Sequence, residues 1–243
     1  MQPLLRIVGL HKSFGGLRAV EAMAASVRQG DVLGLVGPNG SGKTTVLDLI
    51  TGALKPDQGM ILFGDRRLDR LPPHAITRLG IARTFQLVRI MPSLTIAENV
   101  AIGAMFGADP CSPAEALARA LPLLSRVGLA GRADHPAARL TYIDQKRVEL
   151  ARALAARPRL LLLDEWLAGL NPSELVQGIA LVRALAEDGI TIVMVEHVMD
   201  AIRALCTRVL VMNAGRAVAE GTPEQALSDP AVIAAYLGED GDA

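Results

Sequence analysis

Val32-Leu33-Gly34-Leu35-Val36-Gly37-Pro38-Asn39-Gly40-Ser41-Gly42-Lys43-Thr44-Thr45-Val46-Leu47-Asp48-Leu49-Ile50-Thr51 is the stretch on which the fold turns. Its opening apolar run predicts a buried strand, and the segment from Thr45 to Thr51 has the apolar spacing of a helix. Between them, Gly37 to Thr44 fits G-x-x-x-x-G-K-[ST] in the strand–loop–helix context that gives this pattern its meaning. Glycines let the backbone wrap phosphates closely, and the helix start adds unpaired N–H groups and the positive end of a dipole. Lys43 supplies a point charge for terminal phosphates and Thr44 a hydroxyl for Mg²⁺. Pro38, Asn39, Gly40, Ser41, Gly42 and Thr45 complete the candidate nucleotide contacts. A ligand-free glycine turn is the plainer alternative, and the full motif with both flanks disfavours it.

Outward from this stretch, short Val/Ile/Leu-rich runs alternate with segments of helical period, the pattern of an α/β fold with a mostly parallel sheet. Leu4 to Leu10, Ala19 to Val27 and Asp31 to Val36 are separated only by turns, which predicts an N-terminal antiparallel β subdomain drawn from residues 1–36 and 52–66. From Thr95 to about Leu129 the period is helical, broken at Gly107–Pro113 and Gly128–Gly131, so residues 87–139 are expected to form an inserted helical subdomain. Arg159–Leu163, Ile190–Val195 and Val209–Met212 resume the core within residues 140–213. Residues 214–243 close a single domain, with an acidic end, Gly238 to Ala243, expected to fray.

The composition excludes several classes. With 243 residues, 51% hydrophobic and 25 Lys+Arg against 25 Asp+Glu, the chain can bury a substantial core and is too apolar for disorder. Charge, Gly or Pro breaks every apolar run short of the ~20 residues that a helix needs to cross a bilayer. The start, Met-Gln-Pro-Leu-Leu-Arg, does not read as a secretory signal, so cytoplasmic residence is expected. Cys111 and Cys206 have no metal-ligand spacing, and His11, His74, His135 and His197 are scattered. A net charge of zero offers no electrostatic reason to expect nucleic acid as a partner.

A phosphate cradle of this kind needs a carboxylate at the end of a neighbouring strand. Leu160-Leu161-Leu162-Leu163-Asp164-Glu165 provides two. Asp164 is placed to help hold Mg²⁺ through water, and Glu165 to polarise an attacking water as general base. An ordinary strand ending in two solvated acids is the alternative for this run taken alone.

With these elements in order, the chain resembles the ATP-binding subunits of ABC transporters, P-loop ATPases, over nearly its whole length. Phe14 matches the aromatic that stacks on adenine and Val20 the residue beside it. Gln86, in Arg83-Thr84-Phe85-Gln86, matches the glutamine that reaches the metal and senses membrane subunits. Leu140-Thr141-Tyr142-Ile143-Asp144-Gln145 matches the signature that covers the partner's γ-phosphate. Ala168-Gly169-Leu170-Asn171 matches the loop that communicates between paired ATPases, and His197 the histidine at the γ-phosphate. Taken singly, Phe14 also reads as a core aromatic, Gln86 as a strand-end residue and His197 as a helix N-terminal residue. Thr141 and Asp144 have capping-box spacing at the head of a helix whose Val148, Ala151, Leu154 and Ala155 share a face, with Lys146, Arg147 and Arg152 largely outside it.

The resemblance implies MgATP as cofactor and substrate, hydrolysis with Glu165, His197 and Lys43 as catalytic residues, and Mg²⁺ held by Thr44, Gln86 and Asp164. It implies pairing with a second ATPase, alike or different, and two integral membrane permease subunits, with a periplasmic solute-binding protein acting indirectly and no nucleic acid. Residence on the cytoplasmic face of an inner membrane follows, with the docking surface between Gln86 and about Arg139. Phe14-Gly15-Gly16-Leu17-Arg18-Ala19-Val20, Ala82–Gln86 and Ala235-Tyr236-Leu237-Gly238-Glu239 look most like ATPases of branched-chain amino acid importers. Relatives carrying urea, amides or aromatic acids, ATPases of lipopolysaccharide export and other soluble ABC ATPases are the neighbouring readings; an unrelated nucleotide kinase would lack the signature. Two positions depart from the pattern. Ile143 stands where Gly is common, so a β-branched side chain occupies a phosphate-approach position. Trp166 replaces a usual Pro, and it packs either within its own subunit or at the ATPase pair's interface.

Overall fold

The computed structural model describes residues 2–230 and 232, so the Ala235–Glu239 string and the 238–243 tail lie outside the described residues. β1 (Leu5–Phe14) turns at Gly15-Gly16 into β2 (Leu17–Val27), and β3 (Val32–Val36) leads through the phosphate-type loop to α1 (Lys43–Ile50). β4 (Gln58–Phe63), β5 (Arg66–Arg67), α2 (Pro73–Arg78) and β6 (Ile81–Arg83) follow. Next come α3 (Ile96–Phe106), α4 (Pro113–Arg126) and, after a 3₁₀ turn, α5 (Tyr142–Ala155). The chain returns through β7 (Leu160–Asp164), α6 (Pro172–Glu187), β8 (Thr191–Val195), α7 (Met199–Leu205), β9 (Arg208–Asn213), β10 (Arg216–Gly221) and α8 (Pro223–Leu227).

Two sheets form among the described residues. One has the order β2-β1-β4-β5 and is antiparallel. The other has the order β10-β9-β3-β8-β7-β6 and is parallel except at its β10–β9 edge. The expectation that Asp31–Val36 joins the antiparallel layer is therefore corrected: β3 lies at the centre of the parallel sheet. Its five residues are all buried, the pattern of a strand covered on both faces, whereas β2 has the mixed burial of a strand with one wet side. A short connection between β2 and β3 does not require them to pair.

Alternate residues of the parallel strands feed two cores. Leu161 and Leu163 join the helical side, while Leu160 and Leu162 join the core under the antiparallel sheet. A part of the 51% hydrophobic content is used this way, in strands apolar on both faces. The helical layer of α3 and α4 continues into α5, which packs on both, so the packing unit extends beyond the expected boundary at 139. A full capping box of Thr95 and Glu98 starts α3. β6, with three residues, is too short to show a period, and β10 is a largely exposed edge strand. No described helix is long and apolar enough to cross a membrane.

Candidate active site

Parallel pairing of β3, β7 and β8 brings their carboxyl ends to one edge, where Gly37, Glu165 and His197 emerge. Open α/β sheets bind ligands at such an edge. Gly42 is the N-cap of α1 and no side chain caps this helix, so its head can receive an anion. Lys43 Nζ crosses the loop, donating to Gly37 O and Pro38 O at 2.7 Å each and to Ser41 Oγ at 3.4 Å. A cleft of about 380 Å³ opens above it, with Phe14 and Leu17 at one end, Asn39, Lys43, Thr44 and Thr45 along the floor, and Gln86 and Glu165 at the other end. Phe14 is exposed, with Lys12 Nζ 5.6 Å from its ring centre, so it is a cleft-wall aromatic rather than a core one. Val20 is 1% exposed and sits in the core beneath the antiparallel sheet. Leu17 and Ala19 line the cleft and Val20 does not, because Val20 faces inward on β2.

At the far end three predicted residues meet. Glu165 has φ 50°, a left-handed conformation uncommon for a side chain of its size, and its N–H donates to Val195 O at 2.9 Å. Its carboxylate accepts from Gln86 Nε2 at 2.7 Å through Oε2 and lies 2.9 Å from His197 Nε2 through Oε1. His197 precedes α7 and its N-cap, Val198, so it is a loop residue and not the helix N-terminal residue of the plain reading. Gln86 lies in the loop beyond β6 rather than at its end.

Asp164 ends β7, buried at 1% exposure. Its Oδ2 accepts from Arg83 Nη2 at 2.6 Å, and Arg83 Nη1 donates to Asp48 Oδ1 at 2.5 Å. Burial holds the Asp164 carboxyl above its ordinary range despite the arginine. Its Oδ1 has no hydrogen-bond partner. Among the described residues no group of three or more His, Cys, Asp or Glu side chains could hold a metal alone. A hydroxyl, an amide and one orphaned carboxylate oxygen beside a phosphate cradle fit Mg²⁺, which keeps waters and takes phosphate oxygens in preference to an all-protein cage. Arg83 and Asp48 were not singled out from the sequence as site residues; the only signal was a lone carboxylate among the apolar residues of α1.

The signature sits at the head of α5, and none of its residues lines the chain's own cleft. Thr141 Oγ1 accepts from Asp144 N at 3.4 Å. Asp144 does not complete the expected box: its carboxylate receives Arg132 at 2.7 Å and Arg147 at 3.4 Å. Tyr142 is half exposed, and Gln145 donates back to Leu140 O at 3.2 Å. Lys146, expected largely outside the apolar face, is instead buried, as is Glu149, because α5 is covered on more than one side. Trp166 is 2% exposed and packs within its own chain, the intramolecular one of the two alternatives. In the loop after it, Gly169 is exposed while Ala168 and Leu170 are half-buried. Asn171 forms a full capping box with Glu174 on α6, its Oδ1 accepting from Glu174 N at 2.9 Å.

Ile143 and Trp166, the two departures, line one cavity of about 160 Å³ with Arg147 and Gly178. If the β-branched side chain hinders closure over a phosphate, Ile143→Gly should raise ATPase turnover by about two- to tenfold while costing about 1 kcal/mol of stability at the helix start. Parallel turnover and melting measurements on both proteins check this, and unchanged turnover and ATP affinity remove the idea.

Comparison with known proteins agrees with this geometry. Residues 20–168 match the ABC transporter family, and residues 218–242 match the branched-chain amino acid ATP-binding cassette transporter family. The chain is 40% identical to the high-affinity branched-chain amino acid transport ATP-binding protein LivG of Salmonella typhimurium, over 98% of this chain and 99% of that one. It is 34% identical to the lipopolysaccharide export system ATP-binding protein LptB of Acidithiobacillus ferridurans, over 98% of each. The crystal structure of the ADP conformation of an ATP-binding cassette of an ABC transporter superposes with a TM-score of 0.87 at 31% identity, covering 98% of this chain and 100% of that one. A phosphate cradle, a carboxylate-ended strand beside it and these full-length matches together place the chain in the ABC transporter family, as an ATP-binding and ATP-hydrolysing subunit.

Proposed function

We propose that the chain powers an importer of branched-chain amino acids or related small solutes, working as one of a pair of ATPases beneath two membrane permease subunits. The observation that carries the catalytic half is the meeting of Gln86 and His197 on the two carboxylate oxygens of Glu165 at the mouth of the phosphate cleft. Phe14 stacks the base, the Gly37–Gly42 loop and Lys43 hold the phosphates, and Thr44, Gln86 and Asp164 supply the protein ligands or water contacts of Mg²⁺. That ion neutralises phosphate charge when bound. Glu165 accepts a proton from the water that attacks the γ-phosphorus, as the bond to the bridging oxygen of ADP breaks. His197 donates to a γ-phosphate oxygen once the nucleotide displaces it from Glu165. Thr141 to Gln145 close over the nucleotide of the second ATPase, with Ala168 to Asn171 between the two sites.

A groove of about 350 Å³ supports permease docking, lined by Phe85, Arg89, Ile102 and Phe106 where the Gln86 loop meets α3. Leu87 beside it is 80% exposed and Phe106 58%. Apolar side chains left in water around a groove suit a membrane subunit's cytoplasmic segment. The solute class is supported by the 40% identity to LivG and the match at residues 218–242, against 34% for the lipopolysaccharide export relative. Co-expression with the membrane proteins encoded beside this chain tests the reading. Two hydrophobic subunits should copurify, placing the chain peripherally on the inner membrane's cytoplasmic face. Leucine, isoleucine or valine, with the solute-binding protein, should stimulate ATPase activity. Absence of any membrane partner rejects the importer, and stimulation by lipopolysaccharide alone favours export.

A further inference from the structure

Lys146 is 2% exposed, an unusual place for an ammonium group, and burial pushes its pKa down. Its three donors meet three main-chain acceptors: Ala168 O at 2.6 Å, Trp166 O at 3.0 Å and Glu165 O at 3.2 Å. Trp166 returns a bond, its Nε1 donating to Lys146 O at 3.1 Å. A lysine on the signature helix and the tryptophan after Glu165 thus hold each other's backbone in a dry setting, where unpaired polar groups are costly.

The segment they hold begins at Glu165, with its left-handed φ of 50° and its carboxylate turned to Gln86 and His197. Glu196 accepts from Leu167 N at 2.6 Å, securing the next peptide. One turn along α5, Glu149 accepts from Phe85 N at 3.2 Å and Arg89 N at 2.9 Å, gripping the main chain on either side of Gln86. Arg152 donates to Arg89 O from the same helix. α5 is therefore hydrogen-bonded both to the segment bearing Glu165 and to the loop bearing Gln86.

We propose that Lys146 and Trp166 are positioning residues that join the signature helix rigidly to Glu165, so that displacement at the head of α5 re-aims the carboxylate in the cleft of the same chain. This inference rests on Glu165 as base and on the signature meeting the second ATPase's nucleotide. Occupancy of the partner's cleft then reaches Glu165 through α5, and the two hydrolytic sites act cooperatively. The mechanism is mechanical: a carboxylate misplaced by about 1 Å loses on the order of 100-fold in rate even where nucleotide still binds.

The test uses purified full-length chain with MgATP, comparing wild type, Lys146→Met, Lys146→Gln and Trp166→Phe. Nucleotide affinity by calorimetry should stay within about twofold, because none of these side chains lines the cleft. In Lys146→Met, kcat should fall about tenfold or more and the Hill coefficient for ATP should approach one. Lys146→Gln, which keeps two N–H donors, should recover much of both. Trp166→Phe, which removes the indole N–H together with part of the buried ring's packing, should lower kcat by about two- to fivefold, and it decides the matter if Lys146→Met fails to fold. Wild-type kcat and Hill coefficient in the Met variant, or in the Phe variant if it alone folds, overturn the proposal. So does equal loss in the Met and Gln variants, which marks a merely structural lysine. A Glu165→Gln variant run alongside separates the two readings: wild-type hydrolysis there rejects the base, whereas lost hydrolysis there with an unaffected Lys146→Met rejects only the coupling.

Discussion

Glu165→Gln should bind MgATP with near-wild-type affinity yet hydrolyse it at least about 100-fold more slowly, the range expected for loss of a general base. The substitution keeps length and planarity, so the contacts to Gln86 and His197 can persist with donors and acceptors rearranged. Among the described residues lining the cleft it changes the only carboxylate, the proposed acceptor of the water's proton, without disturbing Lys43 or the loop around the phosphates. ATP that closes the pair but is not cleaved should hold it closed, so size-exclusion chromatography with MgATP should show a stable dimer that ADP does not support. Hydrolysis at the wild-type rate would falsify the assignment of the base.

Two glycines of the same loop should fail in different ways when changed to alanine. Gly37 has φ 145°, and a Cβ there would stand 2.0 Å from the backbone oxygen of Met212 on the neighbouring strand β9. That oxygen belongs to the backbone of a sheet strand and cannot swing away as a side chain could, so Gly37→Ala should cost about 3 kcal/mol or more. At the size of this domain that lowers the melting temperature by about 6–12 °C. Gly40 has φ 75°, but a Cβ there meets nothing within 4 Å, because the position faces the open cleft. Gly40→Ala should lose only about 1 kcal/mol of stability, while its methyl group enters the space for phosphates and weakens ATP binding about tenfold. Thermal unfolding and calorimetric titration of both variants check the contrast. Equal losses of stability would show that the loop's packing is not as described.

The legible parts of the molecule were those encoded locally. Gly37 to Thr44 carries its backbone requirement in its own residue types, and Leu160 to Glu165 announces a strand buried on both faces that ends in acids. The capping boxes of Thr95 with Glu98 and Asn171 with Glu174, not singled out from the sequence, are likewise short-range chemistry and form in full. Thr141 with Asp144 had the same spacing but formed only one side of a box, because Arg132, twelve residues away, took the carboxylate.

Local spacing determined the α/β class, the phosphate cradle and the acid pair Asp164–Glu165, because each depends on residue type within a few positions, whereas Gln86 and His197 were identified through the resemblance to ABC transporter ATPases. Which sheet received β3, which way Val20 faced, and the burial of Lys146 and Trp166 were decided only by tertiary structure. These depend on strand order and on carbonyls 19 to 22 residues away in sequence from Lys146, contacts with no local period. The meeting of Gln86, Glu165 and His197 is of the same kind, since parallel strands bring together residues separated by whole crossovers.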